Sequence, residues 1–398
     1  MTLFENTVTE SRVYTLRKYQ QEASDAAIDF LTHPTKKSAI MVLPTGSGKS
    51  LIIADIVNRT NGKTLILQSS KEILEQNHEK FLSYDPFADV SIFSASFNSK
   101  EISKVTYATI GSVHNKRHLF KQFDNVLIDE CHLVSSKSGM YKKLFVSLGD
   151  KKYLGLTASP FRAHTNSFGT ELRFITRTRP KLFNEVIYYS QIADLKKQGY
   201  LADMEYYSVS NGFDTNKLVV NSTRMDYTDD SVRNYYEEIS FEQNIADVAQ
   251  RLLDAGRKNV LVFTKFVKES EAVCKLLGNK ARVVSAYTDK KEREETISLF
   301  KAGIIKVVLN CSALGVGFDF PALDTVLMAQ PTRSLVRWYQ FVGRSFRPHP
   351  SKKSAWIIDM CGTYERFGKV ESLTMANDGN GKWYFHSNGK RLTNVYLD

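Results

Sequence analysis

The chain has 398 residues, 42% of them hydrophobic and 24% charged, so it is long enough for two ordinary domains and too apolar for intrinsic disorder. Four scattered cysteines, Cys131, Cys274, Cys311 and Cys361, never form a C-x2-C pair, which argues against a zinc site or a disulfide framework. The net charge of +11 attracts polyanions at long range; no apolar run is long enough for a bilayer and MTLFENTVTESR lacks a secretory pattern, so a cytoplasmic protein with no membrane partner is expected.

Short apolar runs ending in turn residues alternate with longer amphipathic stretches, the rhythm of βα units on a parallel sheet. The first run, Ala39–Leu43, leads into Pro44-Thr45-Gly46-Ser47-Gly48-Lys49-Ser50 and then an amphipathic stretch, LIIADIVNRT. A glycine-rich turn in that context is a phosphate loop: glycines let successive backbone N–H groups curl around phosphate oxygens, and the helix N-terminus adds its dipole. Thr45, Gly46, Ser47 and Gly48 then cradle the nucleotide, Lys49 reaches the β and γ phosphates and Ser50 ligates Mg²⁺, so ATP and Mg²⁺ are expected. The alternative is a turn that merely connects strand to helix.

Thr64–Leu67 is the next strand, and Val126–Ile128 runs directly into Asp129-Glu130-Cys131-His132. At the carboxyl end of a strand, Asp129 is suited to hold Mg²⁺ and Glu130 to polarise the water that attacks the γ phosphate; in isolation the same pair reads as helix caps. Tyr153–Leu156 follows, then Thr157-Ala158-Ser159-Pro160. Residues 160–183 carry Arg162, Arg173, Arg177, Arg179 and Lys181 against a single acid, Glu171. That surplus makes Arg177 and Arg179 candidate nucleic-acid contacts, unless the segment is only a basic surface loop.

Residues 199–244, rich in Asp, Asn and Tyr, carry one candidate strand at Met204–Val209 and read as a connector. Beyond them Val260–Thr264, Val307–Asn310, Thr325–Met328 and Ala355–Ile358 repeat the βα rhythm without a phosphate loop. In the tail from Val370, turn signals at Asn377-Asp378-Gly379 and Asn388-Gly389 predict a small antiparallel meander.

Taken in order, the phosphate loop, D-E-C-H and T-A-S-P resemble motifs I, II and III of DEAD/DEAH-like superfamily 2 helicases, a resemblance extending over residues 14–367. It implies an α/β fold of two tandem RecA-like domains with parallel sheets, divided as 1–198, a connector 199–244, 245–367, and a β-rich tail 368–398. Leu16-Arg17-Lys18-Tyr19-Gln20-Gln21 resembles the adenine-reading segment, which assigns Gln20 to the adenine edge with Arg17 in support. Gln68–Gln76 and Thr109-Ile110-Gly111-Ser112 are similar to motifs Ia and Ib, implying backbone contacts to nucleic acid through Ser69, Thr109, Gly111 and Ser112; ordinary helix caps are the alternative. Val260–Thr264 resembles motif IV and implies a nucleic-acid contact at Thr264. Asn310–Asp319 resembles motif V, implying Ser312 on nucleic acid and Gly317 and Asp319 beside the ribose.

Gln340-Phe341-Val342-Gly343-Arg344-Ser345-Phe346-Arg347 matches Q-x-x-G-R-x-x-R, motif VI. The resemblance makes Gln340, Arg344 and Arg347 catalytic, with both arginines on one helix face so that their planar forks reach the γ phosphate once the two lobes close. The spacing and Gly199-Tyr200-Leu201 look most like the RadD, UvsW and XPB type of DNA helicase, many of them bacterial or phage encoded. That implies a monomeric motor acting on forked or branched DNA in replication, recombination or repair, in a bacterial or phage-infected cell. An RNA helicase and the motor subunit of a nuclease complex stay open. Twenty residues separate Asp319 from Gln340, too few for the strand-splitting hairpin some members insert there.

Overall fold

The computed structural model describes residues 14–135, 138–209, 213–313 and 320–396. The chain divides into two compact units, one of Met1–Met41, Gly48–Leu156 and Val186–Tyr188, the other of Val42–Ser47, Thr157–Glu185 and Tyr189–Asp398.

An eight-stranded sheet has the order Glu185–Tyr189, Ser38–Val42, Lys152–Thr157, Asn125–Asp129, Thr64–Gln68, Val105–Thr109, Val90–Ser94, Ser99–Lys100. Ser38–Val42, Thr64–Gln68 and Asn125–Asp129 are buried at every position, as strands covered on both faces must be. Parallel register sets Gln68 beside Thr109 and Asp129 beside Leu156, so the residues that follow these strands emerge along one edge. Within the first unit, helix Lys18–Thr32 buries Tyr19, Ala23, Ala27, Phe30 and Leu31 along one stripe. Asp55, buried in helix Lys49–Arg59, accepts from Ser24 Oγ (2.5 Å), Tyr84 Oη (2.9 Å) and Arg59 (3.1 Å). A buried carboxylate needs such a full set of partners, and here they fasten Lys18–Thr32 and Lys71–Tyr84 to the helix that begins at Lys49.

The second unit holds a six-stranded, wholly parallel sheet in the order Met204–Ser208, Ala355–Asp359, Thr325–Ala329, Val260–Thr264, Val307–Cys311, Ala281–Ser285. The segment read as a connector contributes to this core: its candidate strand is the edge strand Met204–Ser208, and Val232, Tyr235 and Tyr236 of helix Asp229–Glu238 pack with Phe213 and Phe241. The C-terminal meander of Thr374–Asn377, Trp383–Ser387 and Lys390–Arg391 is as expected, and its second turn has Asn388 and Gly389 both at positive φ, 48° and 77°, the two-residue turn that the twist of a hairpin favours. The basic stretch after Thr157-Ala158-Ser159-Pro160 is an antiparallel hairpin, Phe161–Asn166 with Gly169–Phe174.

Candidate active site

The phosphate loop leaves strand Ser38–Val42 and enters helix Lys49–Arg59 through two glycines in the left-handed region, Gly46 (φ 81°) and Gly48 (φ 80°). Gly48 is the helix N-cap, and a Cβ added there would lie 2.5 Å from Gln20 Nε2. Gly48→Ala therefore combines a clash with a left-handed backbone that costs an L-residue about 1–2 kcal/mol. A loss of ATP affinity of tenfold or more is expected by fluorescent-nucleotide titration, and parental affinity would detach the loop's shape from binding. Within the second unit, a Cβ on Gly46 would meet Phe346 Cβ at 3.5 Å and Arg347 Cγ at 3.6 Å, and one on Gly343 would meet Thr45 Cβ at 2.9 Å. Only glycine at position 343 lets the chain come this near to Thr45.

In the first unit Lys49 Nζ stands 3.9 Å from Glu130 Oε1, and Glu130 Oε2 lies 3.3 Å from His132 Nδ1. Glu130 takes φ 49° and ψ 46°, a strained conformation for a residue with a side chain and one that cups its carboxylate between Lys49 and His132. Asp129 accepts the Glu130 N–H at 2.9 Å and Asn77 Nδ2 at 3.0 Å, while Ser50 Oγ donates to Asn77 Oδ1 at 2.5 Å. Asn77 thus joins the hydroxyl and the carboxylate assigned to Mg²⁺. One hydroxyl and one carboxylate fit this ion, which keeps waters and takes further oxygens from substrate phosphates. Burial, then the neighbouring Glu130, push the Asp129 carboxyl up to about 6, against the pull of Lys49; a bound cation would restore its charged form.

Asn77 and His132 complete the site and were not picked out by sequence reasoning. His132 lies inside the quoted D-E-C-H. Asn77 interrupts the buried stripe Ile73, Leu74, Phe81 of helix Lys71–Tyr84, and a polar residue on an apolar face is itself a signal.

Gln20 is buried, and its Oε1 accepts the Arg17 N–H at 2.9 Å; Arg17 is the exposed N-cap of helix Lys18–Thr32. Ser47 is buried, and Ser69 lies in the bend before helix Lys71–Tyr84. Thr109 Oγ1 is 3.0 Å from Ser112 Oγ and 3.2 Å from Ser94 Oγ, and Ser112 accepts the Ala95 N–H at 2.9 Å, so these hydroxyls hold the loops together locally; Gly111 faces open space. Ser312 is exposed with φ 57° at the end of strand Val307–Cys311. Gly317 and Asp319 lie outside the described residues.

Two expectations are corrected. Thr264 is fully buried rather than presented at the surface, its hydroxyl 2.7 Å from Ser270 Oγ at the start of helix Val267–Leu277. Arg344 and Arg347 do not share an α-helix: helix Leu335–Val342, which carries Gln340, ends at Gly343, Arg344 sits in a 3-10 turn, and Arg347 lies past it. One α-helical face therefore does not align the two side chains; each is carried by the irregular chain that follows the helix. Of the basic residues in 160–183, Arg173 pairs with Glu171, Arg162 and Arg177 are partly buried, and Arg179 and Lys181 are exposed.

Residues 13–162 match the family described as Type III restriction enzyme, res subunit, and residues 243–349 match the Helicase conserved C-terminal domain. The chain is a superfamily 2 DEAD/DEAH-like helicase. The helicase is 27% identical to the 51.5 kDa protein of a Lactococcus phage, over 79% of this chain and 64% of that protein. It is 26% identical to the putative mitochondrial ATP-dependent helicase irc3 of Schizosaccharomyces pombe, over 91% of this chain and 60% of the relative. Proteins named XPB are further relatives, 23 to 25% identical. It spans 53 to 64% of the length of the first of these curated relatives. A fragment of a putative HsdR subunit of a type I restriction enzyme from Vibrio vulnificus superposes with a TM-score of 0.65 at 19% identity, over 90% of this chain and 67% of that one. The shared architecture is a pair of RecA-like domains, and this chain also has a small antiparallel sheet towards its C-terminal end. Among the described residues no helix is long and apolar enough to cross a membrane.

Proposed function

We propose that this helicase is an ATP-driven DNA motor that unwinds or branch-migrates forked and junction DNA in replication, recombination or repair. The observation that carries the ATPase is the linked set Lys49, Glu130, Ser50, Asn77 and Asp129. Lys49 grips the β and γ phosphates, and Ser50 and Asp129 hold the metal. Mg²⁺, when bound, supplies positive charge to the phosphate oxygens. Glu130, aligned by His132, takes the proton of the attacking water, and Arg344 and Arg347, with Gln340, offset the charge that develops on the γ phosphate. Gln20 and Arg17 serve the adenine end and Gly317 and Asp319 the ribose. Ser69, Thr109, Gly111, Ser112 and Ser312 offer hydroxyls and backbone amides to the strand without reading its sequence.

The DNA assignment draws on relatives whose names specify DNA, among them Rad25 of Haloarcula marismortui and XPB of Kineococcus radiotolerans. ATP turnover measured without nucleic acid and with single-stranded DNA, forked DNA and RNA tests it: stimulation by DNA well above RNA is expected, and stimulation by RNA alone overturns it. Strand Thr325–Ala329 and helix Leu335–Val342 occupy the interval where a strand-splitting insertion would lie. Exchange of one duplex for another nearly balances pairing energy, so junctions are expected to be remodelled faster than plain tailed duplexes are unwound. The reverse order, in parallel assays at one ATP and salt concentration, removes the preference and leaves the motor.

Arg177 is half-buried and Arg179 exposed. If both meet phosphates, Arg177→Ala with Arg179→Ala weakens binding equally across DNA sequences and flattens the dependence of log affinity on log salt by about one unit for each phosphate no longer neutralised. An unchanged slope returns the pair to the protein surface.

A further inference from the structure

The hairpin Phe161–Asn166 with Gly169–Phe174 and the C-terminal meander make one piece. Phe385 of the meander meets Phe161 edge-on, centroids 5.4 Å apart, and stacks over Phe174 at 6.4 Å. Asn394 donates its N–H to the Leu172 carbonyl (2.6 Å), accepts the Phe174 N–H (3.0 Å) and donates its amide to the Trp383 carbonyl (3.0 Å). Its φ of 59° is left-handed, a conformation asparagine tolerates and these bonds hold. Aromatic packing and this staple stiffen a hairpin that would be marginal alone.

At the hairpin's turn Phe168 is 82% exposed, its ring 6.5 Å from that of Tyr396, and the Tyr396 hydroxyl accepts from Asn166 Nδ2 at 3.1 Å. Residues 157–185 and 374–396 together contain eight Lys and Arg against three Asp and Glu, and one of those acids, Glu171, is paired with Arg173. Arg391 lies over the ring of Tyr384 at 4.2 Å. A phenylalanine so exposed contributes little to folding, and in isolation exposure of this kind needs no explanation. Phe87 is such a case: it is 79% exposed but stands between Asp85 and Asp89, in a field that repels phosphate. Phe168 differs in having a second ring beside it, a stiff support, and a hairpin and meander that together carry a net excess of five cationic side chains. Rings backed by cations are what an unpaired strand takes, the bases stacking while the phosphates are neutralised.

We infer that the hairpin tip, Phe168 with Tyr396, is a stacking platform for an unpaired nucleotide of the DNA strand, held in position by the C-terminal meander. The inference rests on the DNA-motor reading above. Fluorescein-labelled oligo(dT), and an abasic oligomer of equal length with the same phosphates, are titrated by anisotropy into the full chain and into Phe168→Ala, Phe168→Trp and Phe87→Ala. Phe168→Ala is expected to weaken oligo(dT) binding about fivefold or more and to leave the abasic affinity at the parental level. Phe168→Trp is expected to retain the preference for oligo(dT), and Phe87→Ala to bind both oligomers as the parent does. Parental affinity of Phe168→Ala for oligo(dT), or an equal loss on both oligomers, overturns the platform. A parent whose ATP turnover DNA does not stimulate fails the motor reading; a parent that DNA stimulates, with Phe168→Ala indifferent to the bases, fails the platform alone.

Discussion

Lys49→Ala is expected to lower ATP turnover by a factor on the order of 100 to 1,000 or more, the range seen when one preorganised charge-stabilising group is removed from a reaction centre. The loss has two sources. Lys49 is the cation at the mouth of the phosphate loop, so its removal takes away charge where the γ phosphate becomes more negative. It also leaves Glu130 without the cation 3.9 Å away, beside an Asp129 that burial already holds at about 6. Without that cation the Asp129 carboxyl loses the attraction that opposes its rise, and Glu130 loses the ion beside which it is held. Nucleotide affinity should fall with turnover, since the lysine contacts ground state and transition state alike. Phosphate release and fluorescent-nucleotide titration give the two quantities. Turnover near the parental rate would place the catalytic centre elsewhere.

Much of this site is legible in the sequence because its chemistry is local: a phosphate loop needs glycine, lysine and serine in one short turn, and the acids follow one apolar strand. Strands buried on both faces are equally plain, and Val260–Thr264 is found at the predicted residues. Other strands escape because their apolar runs are broken: Val105–Thr109 reads VTYAT and Ala281–Ser285 reads ARVVS, yet Tyr107 and Val284 are wholly buried. Asn77 depends on a long-range meeting of a helix with Asp129, which no local window contains. The basic segment 160–183 stands out by its charge, whereas its apolar residues Phe161, Leu172 and Phe174, all buried, belong to a hairpin without a regular alternation of burial. Thr264 shows the opposite failure. A motif supplied its role, and the burial of its strand's end denies it the surface.

Glu130→Gln separates binding from chemistry. The amide has the carboxylate's shape, can still meet Lys49 with its oxygen, and keeps the residue in its left-handed backbone, so the loop and nucleotide affinity should survive. Removing the charge also removes the second-largest influence raising Asp129, whose carboxylate then forms more readily and holds Mg²⁺ at least as well. What the amide cannot do is accept the water's proton, and general-base catalysis contributes about 100- to 10,000-fold. The expected result is therefore a turnover number reduced by that factor, a nucleotide dissociation constant within about twofold of the parent, and tight DNA binding retained in the ATP state. Lys49→Ala loses both turnover and affinity; Glu130→Gln loses turnover alone. Equal turnover by Glu130→Gln and the parent removes Glu130 as the base. A joint loss of affinity and turnover shows instead that its charge, set between Lys49 and His132, serves to shape the loop.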